Sequence, residues 1–341
     1  MWSSSSSSLN HSPRPKEGLS SEMRLAKEIL LKMYEKMFLL RCFEEKSLEL
    51  FYSGMVAGRI HSGLGQEAIA VGACLALQDR DYIISNHRGL GHCIAKGADI
   101  EKVFAEILGK SAGYSKGKGG PMHIADMDHG ILGTTGIVGS GITVAVGAAL
   151  ANKLKGTKRV VLCFFGDGAS NTGSFHEGLN LASTWGLSVV FICENNQYAT
   201  SMPVSEAMAI PNIAHRAAGY RMQGYAVDGN DVISIYEAVS KAVGLAREGE
   251  GPILLEAKTY RLEGHFSGDP CTYRTSEEVE RWRKKEPVAL LRKRLLREKI
   301  VEEQELARVE ERVQKEIVDA ASSAIASPEA SMDSILLDVY A

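Results

Sequence analysis

An aspartate between two glycines follows a strongly apolar run of the chain. Asp167 stands in FFGDGASNTG (residues 164–173), directly after VVLCFF. Glycine backbone allows a ligand to approach closely, and ligands of open α/β sheets bind beyond the carboxyl ends of the strands. An isolated carboxylate repels a phosphate charge at about 4 Å by about 4 kcal/mol when the effective dielectric constant is about 20. A phosphate-bearing ligand at this place therefore requires a cation beside Asp167.

Further oxygen ligands follow the next apolar run. VVFICE leads into ENNQY (residues 194–198), and residues 169–194 separate Gly168 from Asn195. Adjacent parallel strands would bring the Asp167 carboxylate and an amide oxygen of the asparagine pair to one edge of the sheet. Mg²⁺ prefers oxygen ligands, some from protein and the rest from phosphate and water. The pattern predicts that Asp167 holds Mg²⁺ and that the metal holds a diphosphate.

A dinucleotide site is an alternative, because Glu194 stands near the position of a ribose-binding acid. The glycines read G-x-G and then Gly173, which differs from the G-x-G-x-x-G of dinucleotide-binding proteins. A nicotinamide-dependent dehydrogenase remains a rival interpretation, and it predicts ligand binding without Mg²⁺.

Hydrophobic periodicity around these residues predicts an α/β fold with a doubly wound, mostly parallel sheet. The strands are short, continuous apolar runs, which are typical of strands buried on both faces. Ser174 and Glu177, at capping-box spacing, predict a helix between two of them, and strand–helix–strand units cross over right-handedly. The predicted helices cover 21–52, 66–77 and 142–155, and the predicted strands cover 82–85, 159–165, 188–193 and 252–260.

Two segments flank this pattern. Residues 109–141 are rich in glycine but carry apolar anchors, which favours an ordered loop over disorder. Residues 276–327 are charged and helical with an interruption at Pro287, and their apolar stripe is a core or partner contact. The stripe consists of Leu306, Val309, Val313 and Ile317. We therefore predict an α/β domain over 21–275 and a helical C-terminal extension of the same domain over 276–341.

Composition excludes several classes of protein. The 341 residues are 45% apolar, and 39 basic side chains stand against 42 acidic ones, so neither nucleic acid nor a membrane surface is an expected partner. None of the six cysteines has CxxC spacing, which indicates reduced thiols in the cytoplasm. The serine-rich residues 1–20 predict a disordered tail, with an organellar transit peptide as the minor alternative.

The complete set of motifs resembles a known family. GDG followed at this interval by NN is similar to the thiamine-diphosphate signature, and HRGLGH, KGKGGPMH, GIVGSG and GHFSGDP occur in family order. From about residue 24 to the C-terminus the chain resembles the alpha subunit of the decarboxylating component of 2-oxo acid and acetoin dehydrogenase complexes. The resemblance implies the thiamine-diphosphate-binding fold, with thiamine diphosphate and Mg²⁺ as cofactors.

Carried onto this sequence, the resemblance implies a role for each matching residue. Mg²⁺ would be bound by Asp167, Asn196 and the backbone carbonyl of Tyr198. The diphosphate would contact His87, Arg88 and the backbone of Gly168 and Ala169, and Gly136 and Val138 would line the aminopyrimidine. His265 in the GHFSGDP loop and His61 in RIHSGLGQEA would be active-site histidines, with His265 assisting acyl transfer to a lipoyl carrier. Histidines that titrate near neutrality suit proton transfer.

Two positions depart from the family pattern. Phe266 stands where mitochondrial pyruvate enzymes carry a regulatory serine, so we expect no phosphorylation there. Leu90 stands where acetoin-type relatives carry a histidine, which we interpret as the loss of a side chain that faces the cofactor. His92 and His123 remain candidates for either a polar lining or a structural role.

The resemblance also implies partners and substrates. A beta subunit would supply the activating glutamate in a tetramer of two alpha and two beta chains, attached to a lipoyl-bearing acyltransferase core. The product would be an acetyl-level unit from pyruvate or acetoin, leading to acetyl-CoA, with branched-chain 2-oxo acids as a third option. An inactive scaffold relative is the alternative outside the enzyme class.

Overall fold

The computed structural model describes residues 25–334 and 336–338, so the predicted tail and residues 21–24 of the predicted first helix lie outside the described residues. The helices are α1 (Lys27–Tyr52), α2 (Glu67–Leu75), α3 (Leu90–Lys96), α4 (Ile100–Ile107), α5 (Ser140–Leu154), α6 (Gly173–Thr184), α7 (Val204–Ala207), α8 (Val232–Arg247), α9 (Ser276–Arg283), α10 (Pro287–Arg297) and α11 (Glu303–Ala326). The strands are β1 (Tyr82–Ser85), β2 (Ile131–Thr134), β3 (Val161–Gly166), β4 (Val189–Asn195), β5 (Tyr198–Ala199), β6 (Met202–Pro203), β7 (Gln223–Asp228) and β8 (Ile253–Lys258). Short 3₁₀ turns cover Gly120–Met122, Asp167–Asn171, Ile213–Tyr220 and Met332–Ser334.

Six strands form one parallel sheet in the order β2–β1–β3–β4–β8–β7. β3 and β4 are direct neighbours, with Gly166 paired with Glu194 at their carboxyl ends. This pairing confirms the prediction that the segment containing Asp167 and the segment containing Asn195 and Asn196 leave the sheet at the same edge.

Alternate strand residues enter two separate hydrophobic cores. Leu162, Phe164 and Ile192 face the core formed with α1, α2, α8 and α11, whereas Val161, Cys163 and Phe191 face the core formed with α5 and α6. Because both faces are covered, the strands are continuous apolar runs rather than alternating ones. The α/β, doubly wound, parallel fold is therefore confirmed, and no helix in the described ranges is long and apolar enough to cross a membrane.

The connections that leave β1 and β3 run to opposite faces of the sheet. β1 continues into α3, which packs in the first core, whereas β3 continues through Asp167–Asn171 into α6, which packs in the second core. Such a divergence is the topological switch point of an open sheet, where ligands bind.

The structure corrects some local predictions. The N-cap of α6 is Thr172, whose hydroxyl accepts from the Phe175 backbone at 3.3 Å, so the predicted capping box at Ser174 and Glu177 is wrong. The segment 109–141 is ordered as predicted but also contains β2. The predictions missed β7, because this half-exposed edge strand has no continuous apolar run.

The C-terminal helices pack against the N-terminal one. The stripe of Leu306, Val309, Val313 and Ile317 is buried in the same core as α1 and α4, so it is a core contact and not a free partner surface. Pro287 begins α10 at its first turn, where a missing backbone N–H costs nothing, and this confirms the predicted interruption.

Candidate functional site

A cavity of about 220 Å³ lies at the switch point, between the carboxyl ends of β1, β3 and β4. The segment after β1, the turn after β3, the residues after β4 and the loop after β8 all contribute to it. The predicted site residues that line it are His87, Arg88, Val138, Asp167, Gly168, Ala169, Asn196, Tyr198 and His265. With the loop after β2, which carries Val138, the fold thus brings together residues from five distant parts of the sequence.

Two buried guanidinium groups face the cavity. Arg88 is 5% exposed and Arg261 is 1% exposed. Arg88 donates to the carbonyls of Ser62 at 2.8 Å and His265 at 2.9 Å, and burial together with the Arg261 charge lowers its pKa to about 9. Within the described ranges, neither arginine forms an ion pair with a carboxylate. Their two charges at neutral pH therefore favour an anionic ligand.

Asp167 lies at the other side of the same cavity with an unsatisfied oxygen. The side chain is 2% exposed, and Oδ2 has no hydrogen-bond partner among the residues that the structure describes. Burial raises the pKa of Asp167 to about 6, although the Gly168 and Asn196 backbone groups and Arg261 favour the charged form. A buried, unpaired carboxylate oxygen is costly, and a cation at this position would satisfy it.

Asn196 and Tyr198 are oriented by hydrogen bonds to Gln66 and Arg261. The Asn196 amide Nδ2 donates to Gln66 Oε1 at 3.1 Å, and its Oδ1 accepts from the Tyr198 backbone N–H at 3.4 Å. The Tyr198 carbonyl accepts a long hydrogen bond of 3.4 Å from Arg261 Nη1. One carboxylate, one amide and one carbonyl are too few ligands for a closed metal site, so phosphate or water oxygens would complete the shell.

The close approach of β5 explains one of the glycines beside Asp167. A Cβ on Gly168 would lie 2.9 Å from the Ala199 Cβ, whereas a Cβ on Gly166 would meet nothing within 4 Å. Gly168 is thus required by the packing that brings Tyr198 beside Asp167.

Three histidines form a cluster at the cavity mouth. The ring centroids of His61 lie 4.9 Å from His87 and 5.2 Å from His265, and those of His87 and His265 are 5.5 Å apart. Burial and the Arg88 charge lower the pKa of His61 and His265 to about 4 and that of His87 to about 2. Burial and the neighbouring guanidinium groups thus move the pKa values of these histidines below the expected range near neutrality. The three histidines are neutral at pH 7.

The loop that carries His265 is held in one conformation by its own side chains. Asp269 Oδ2 accepts from the His265 backbone at 2.7 Å and from the Tyr273 hydroxyl at 2.7 Å. The Tyr273 hydroxyl in turn accepts from Arg261 Nη2 at 2.6 Å. His265 is therefore positioned from both Arg88 and Asp269.

Other predicted residues lie elsewhere. Gly136 and His61 are not among the residues that line the cavity, and a Cβ on Gly136 would lie at an ordinary 3.4 Å from Met122 Sδ. Leu90 is buried in the core with α1 and α2, so the interpretation that a histidine there would face the cofactor is wrong. His123 is exposed and outside the cavity lining.

Sequence reasoning missed Arg261 and a buried network beneath the site. His92 Nε2 lies 3.0 Å from Glu194 Oε1, its Nδ1 lies 2.8 Å from Ser85 Oγ, and the ring stacks on Phe164. Glu194 also accepts from Asn86 Nδ2 at 3.2 Å. A basic residue directly after a predicted strand, as in TYRLEGH, was the available signal for Arg261, whereas the His92–Glu194 contact is visible only in three dimensions.

The fold and the site define an α/β protein whose switch-point cavity suits a cation together with an anionic ligand. The chain matches the model of the family described as dehydrogenase E1 component over residues 35–333, and it belongs to that family.

Curated relatives cover nearly the whole chain. The alpha subunit of the acetoin:2,6-dichlorophenolindophenol oxidoreductase of Bacillus subtilis is 49% identical over 95% of this chain and 96% of its own length. The protein of the same name from Cupriavidus necator is 43% identical over 94% and 97%. The alpha subunit of the pyruvate dehydrogenase E1 component of Rhizobium meliloti is 39% identical over 92% and 90%.

Proposed function

We propose that this chain is the alpha subunit of a thiamine-diphosphate-dependent E1 component that cleaves pyruvate or acetoin and passes the acetyl-level unit to a lipoyl carrier, leading to acetyl-CoA. One observation carries the proposal: within the described part of the chain, the cavity combines the unpaired carboxylate oxygen of Asp167 with two buried guanidinium groups that lack carboxylate partners. A magnesium diphosphate group supplies both the cation and the anion that this arrangement requires.

The cofactor would be held by residues on both sides of the switch point. Asp167, Asn196 and the Tyr198 carbonyl would bind Mg²⁺. His87, Arg88 and the backbone of Gly168 and Ala169 would contact the diphosphate, and Gly136 and Val138 would contact the aminopyrimidine. The orphaned Asp167 oxygen and the cavity lining support this assignment for all of them except Gly136.

When bound, thiamine diphosphate supplies a carbon nucleophile and an electron sink for carbon–carbon bond cleavage. The residues of this chain would bind, orient and exclude water. His61 and His265 are neutral at pH 7 because of their lowered pKa values, so each can donate or accept a hydrogen bond. His265 would do so from the cavity wall, and His61 from beside it, with the two ring centroids 5.2 Å apart. Arg88 and Asp269 hold His265 in place from two directions.

A beta subunit would complete the site. Ile137 and Val138 are 72% and 52% exposed at the cavity wall, and Val144 and Leu154 are exposed on the thin helix α5. Exposed apolar side chains around a binding cavity mark a protein interface. We infer a tetramer of two alpha and two beta chains that feeds a lipoyl-bearing acyltransferase core, with α5 at the contact between subunits.

Relatives inform the substrate and the compartment. Of the three relatives described above, two are named for acetoin and one for pyruvate, so we propose acetoin or pyruvate, and these relatives do not favour a branched-chain substrate. Leu90 lies in the core, which removes the reason for an inactive scaffold. Six free cysteines support a cytoplasmic location.

The test is reconstitution with the beta-type chain that a neighbouring reading frame should encode. The complex should bind thiamine diphosphate only with Mg²⁺ and turn over acetoin or pyruvate, whereas the single chain should be nearly inactive. Calorimetry with and without a chelator, followed by rates with each substrate, measures these properties. Full turnover by the isolated chain would contradict the shared site, and Mg²⁺-independent binding would contradict the cofactor assignment.

A further inference from the structure

A second, much smaller cavity lies directly beneath the proposed cofactor site. Its volume is about 20 Å³, and it is lined by Glu44 of α1, Gln66 before α2, Arg88 after β1, and the His92–Glu194 pair. A volume of this size holds one water molecule when polar partners surround it. Arg88 lines both cavities, so the two share a wall.

Two buried polar atoms on the wall of this small cavity have no hydrogen-bond partner in residues 25–334 and 336–338. They are Glu44 Oε2 and Gln66 Nε2. The first accepts hydrogen bonds and the second donates them, so a water molecule between them can satisfy both at once. Side chains this deeply buried rarely leave such groups unpaired.

Glu44 also contacts the segment that carries His61. Its Oε1 lies 3.1 Å from the ideal Cβ position of Gly63, so Gly63 leaves room for the carboxylate to approach the backbone. Ser62 lies between His61 and Gly63 in this segment. Arg88 Nη1 donates to the carbonyl of Ser62, and Arg88 Nη2 donates to the carbonyl of His265. Movement of Glu44 is thereby coupled to Arg88 and to both proposed catalytic histidines.

Gln66 connects the same cavity to the proposed metal site. Its Oε1 accepts from Asn196 Nδ2 at 3.1 Å, which leaves its Nε2 to face the small cavity. One water molecule between Glu44 and Gln66 would therefore complete a continuous chain of hydrogen-bonding groups from Glu44 to Asn196.

We propose that Glu44 is a positioning residue for the cofactor site, which acts by holding residues 61–63 and by binding, together with Gln66, one internal water molecule. The positioning role rests on the proposed function, whereas the water site stands on the small cavity alone. No contact between Glu44 and the cofactor is implied.

The charged groups that face Glu44 define how its protonation affects the protein. Glu67 of α2 faces it but is paired with Arg41 at 2.8 Å, Arg88 faces it from the segment after β1, and Glu194 is paired with His92. Burial raises the pKa of Glu44 to about 7, although the Gly63 backbone, the Ser62 hydroxyl and Arg88 oppose the rise. The protonated Glu44 carboxyl stabilises the fold relative to the charged form. This contribution to the free energy of unfolding is complete below about pH 4.5 and is lost as pH rises to 7.

The test uses the full chain in complex with its beta chain and three variants: Glu44→Ala, Glu44→Gln and the matched control Glu45→Gln. Glu45 is the exposed neighbour on the same helix. We expect Glu44→Ala to weaken the binding of magnesium thiamine diphosphate at least about tenfold in calorimetry, and Glu44→Gln, which keeps shape and hydrogen bonding, to stay within about threefold. Glu44→Gln should also gain melting temperature relative to the parent as pH rises from 5 to 8. Glu45→Gln should leave the affinity unchanged and gain less melting temperature than Glu44→Gln, because Glu45 is exposed and burial raises its pKa less than that of Glu44.

A crystal structure of the parent complex should show one water molecule within hydrogen-bonding distance of the Glu44 and Gln66 side chains. A small cavity without that water would overturn the water site.

If the parent binds the cofactor and Glu44→Ala binds equally well, the positioning role is wrong. Should Glu44→Ala fail to fold, Glu44→Asp decides, because parental affinity with a shortened carboxylate would also contradict the role. A parent that binds no thiamine diphosphate contradicts the proposed function instead, and the water site and pH dependence then still test Glu44.

Discussion

Arg88 holds His265 through a single guanidinium nitrogen. Nη2 donates to the His265 carbonyl at 2.9 Å and lies 3.1 Å from the Nδ1 atom of the same residue. Arg88 follows β1 and His265 follows β8, so this contact closes one side of the cavity between segments 177 residues apart. Because the same arginine faces the proposed diphosphate position, ligand binding and the placement of His265 are coupled.

Replacing Arg88 by lysine should therefore weaken ligand binding and disturb the placement of His265. Lysine keeps the charge but cannot reach Ser62 and His265 together. We expect thiamine diphosphate affinity to fall about 10- to 100-fold, which corresponds to about 1.5–3 kcal/mol. Titration calorimetry on the complex measures it, with Arg80→Lys, an exposed arginine, as the control. Equal affinities for the two variants would show that Arg88 does not contact the ligand.

Asp167→Asn should separate stability from binding. The substitution removes a buried charge whose pKa burial raises to about 6, so the free energy of unfolding without cofactor at pH 8 should increase by about 1–3 kcal/mol. Binding of magnesium thiamine diphosphate should be lost at the same time. Urea unfolding and calorimetry give the two quantities, and the exposed Asp128→Asn should change neither. Retention of Mg²⁺-dependent binding would be incompatible with a metal at Asp167.

Alanine substitutions of the two glycines beside Asp167 test the packing requirement, with Gly166→Ala as the control for Gly168→Ala. Gly168→Ala places a Cβ 2.9 Å from Ala199 and should destabilise the fold by about 1–3 kcal/mol while it displaces Tyr198. Gly166→Ala meets open space and should be close to neutral for stability. Thermal unfolding of both variants distinguishes them, and equal melting temperatures would refute the packing requirement.

Leu90→His should fail to improve the enzyme. Leu90 is buried among apolar side chains, so a histidine there would lose water contacts without a polar partner and cost about 1–3 kcal/mol. The melting temperature of Leu90→Met, a volume-conserving control, should change little. A faster reaction of Leu90→His at unchanged stability would instead place this side chain in the reaction cavity.

The histidine cluster should make the protein sensitive to acid. Because the pKa values of His61 and His265 in the folded protein lie near 4, below the usual 6.5, their stabilising contribution is complete above pH 6.5 and is lost as pH falls towards 4. His61→Gln should reduce the loss of unfolding free energy between pH 7 and 5 by about 1 kcal/mol or less, since the ring is partly solvated. The exposed His215→Gln should leave the pH profile unchanged. If the pH dependence of stability were the same in His61→Gln and the parent, the pKa of His61 would not be lowered by burial and Arg88.

Local pattern was sufficient for much of the fold. The continuous apolar runs identified β1, β3, β4 and β8, because a strand covered on both faces is apolar at most of its positions. The same reasoning could not find β7 at the half-exposed edge of the sheet or distinguish Thr172 from Ser174 as the helix cap. Both depend on where a neighbouring segment lies.

The sequence by itself determined that Asp167 and Asn196 end consecutive buried strands, since glycine punctuation and apolar runs are local properties of the chain. Only the tertiary structure decided that Arg261 joins Arg88 in one cavity and that Leu90 faces a core. It also decided that His61, His87 and His265 all lie close to the Arg88 charge. Burial and the distance between charges are set by segments far apart in the chain. No spacing rule along the sequence reports them.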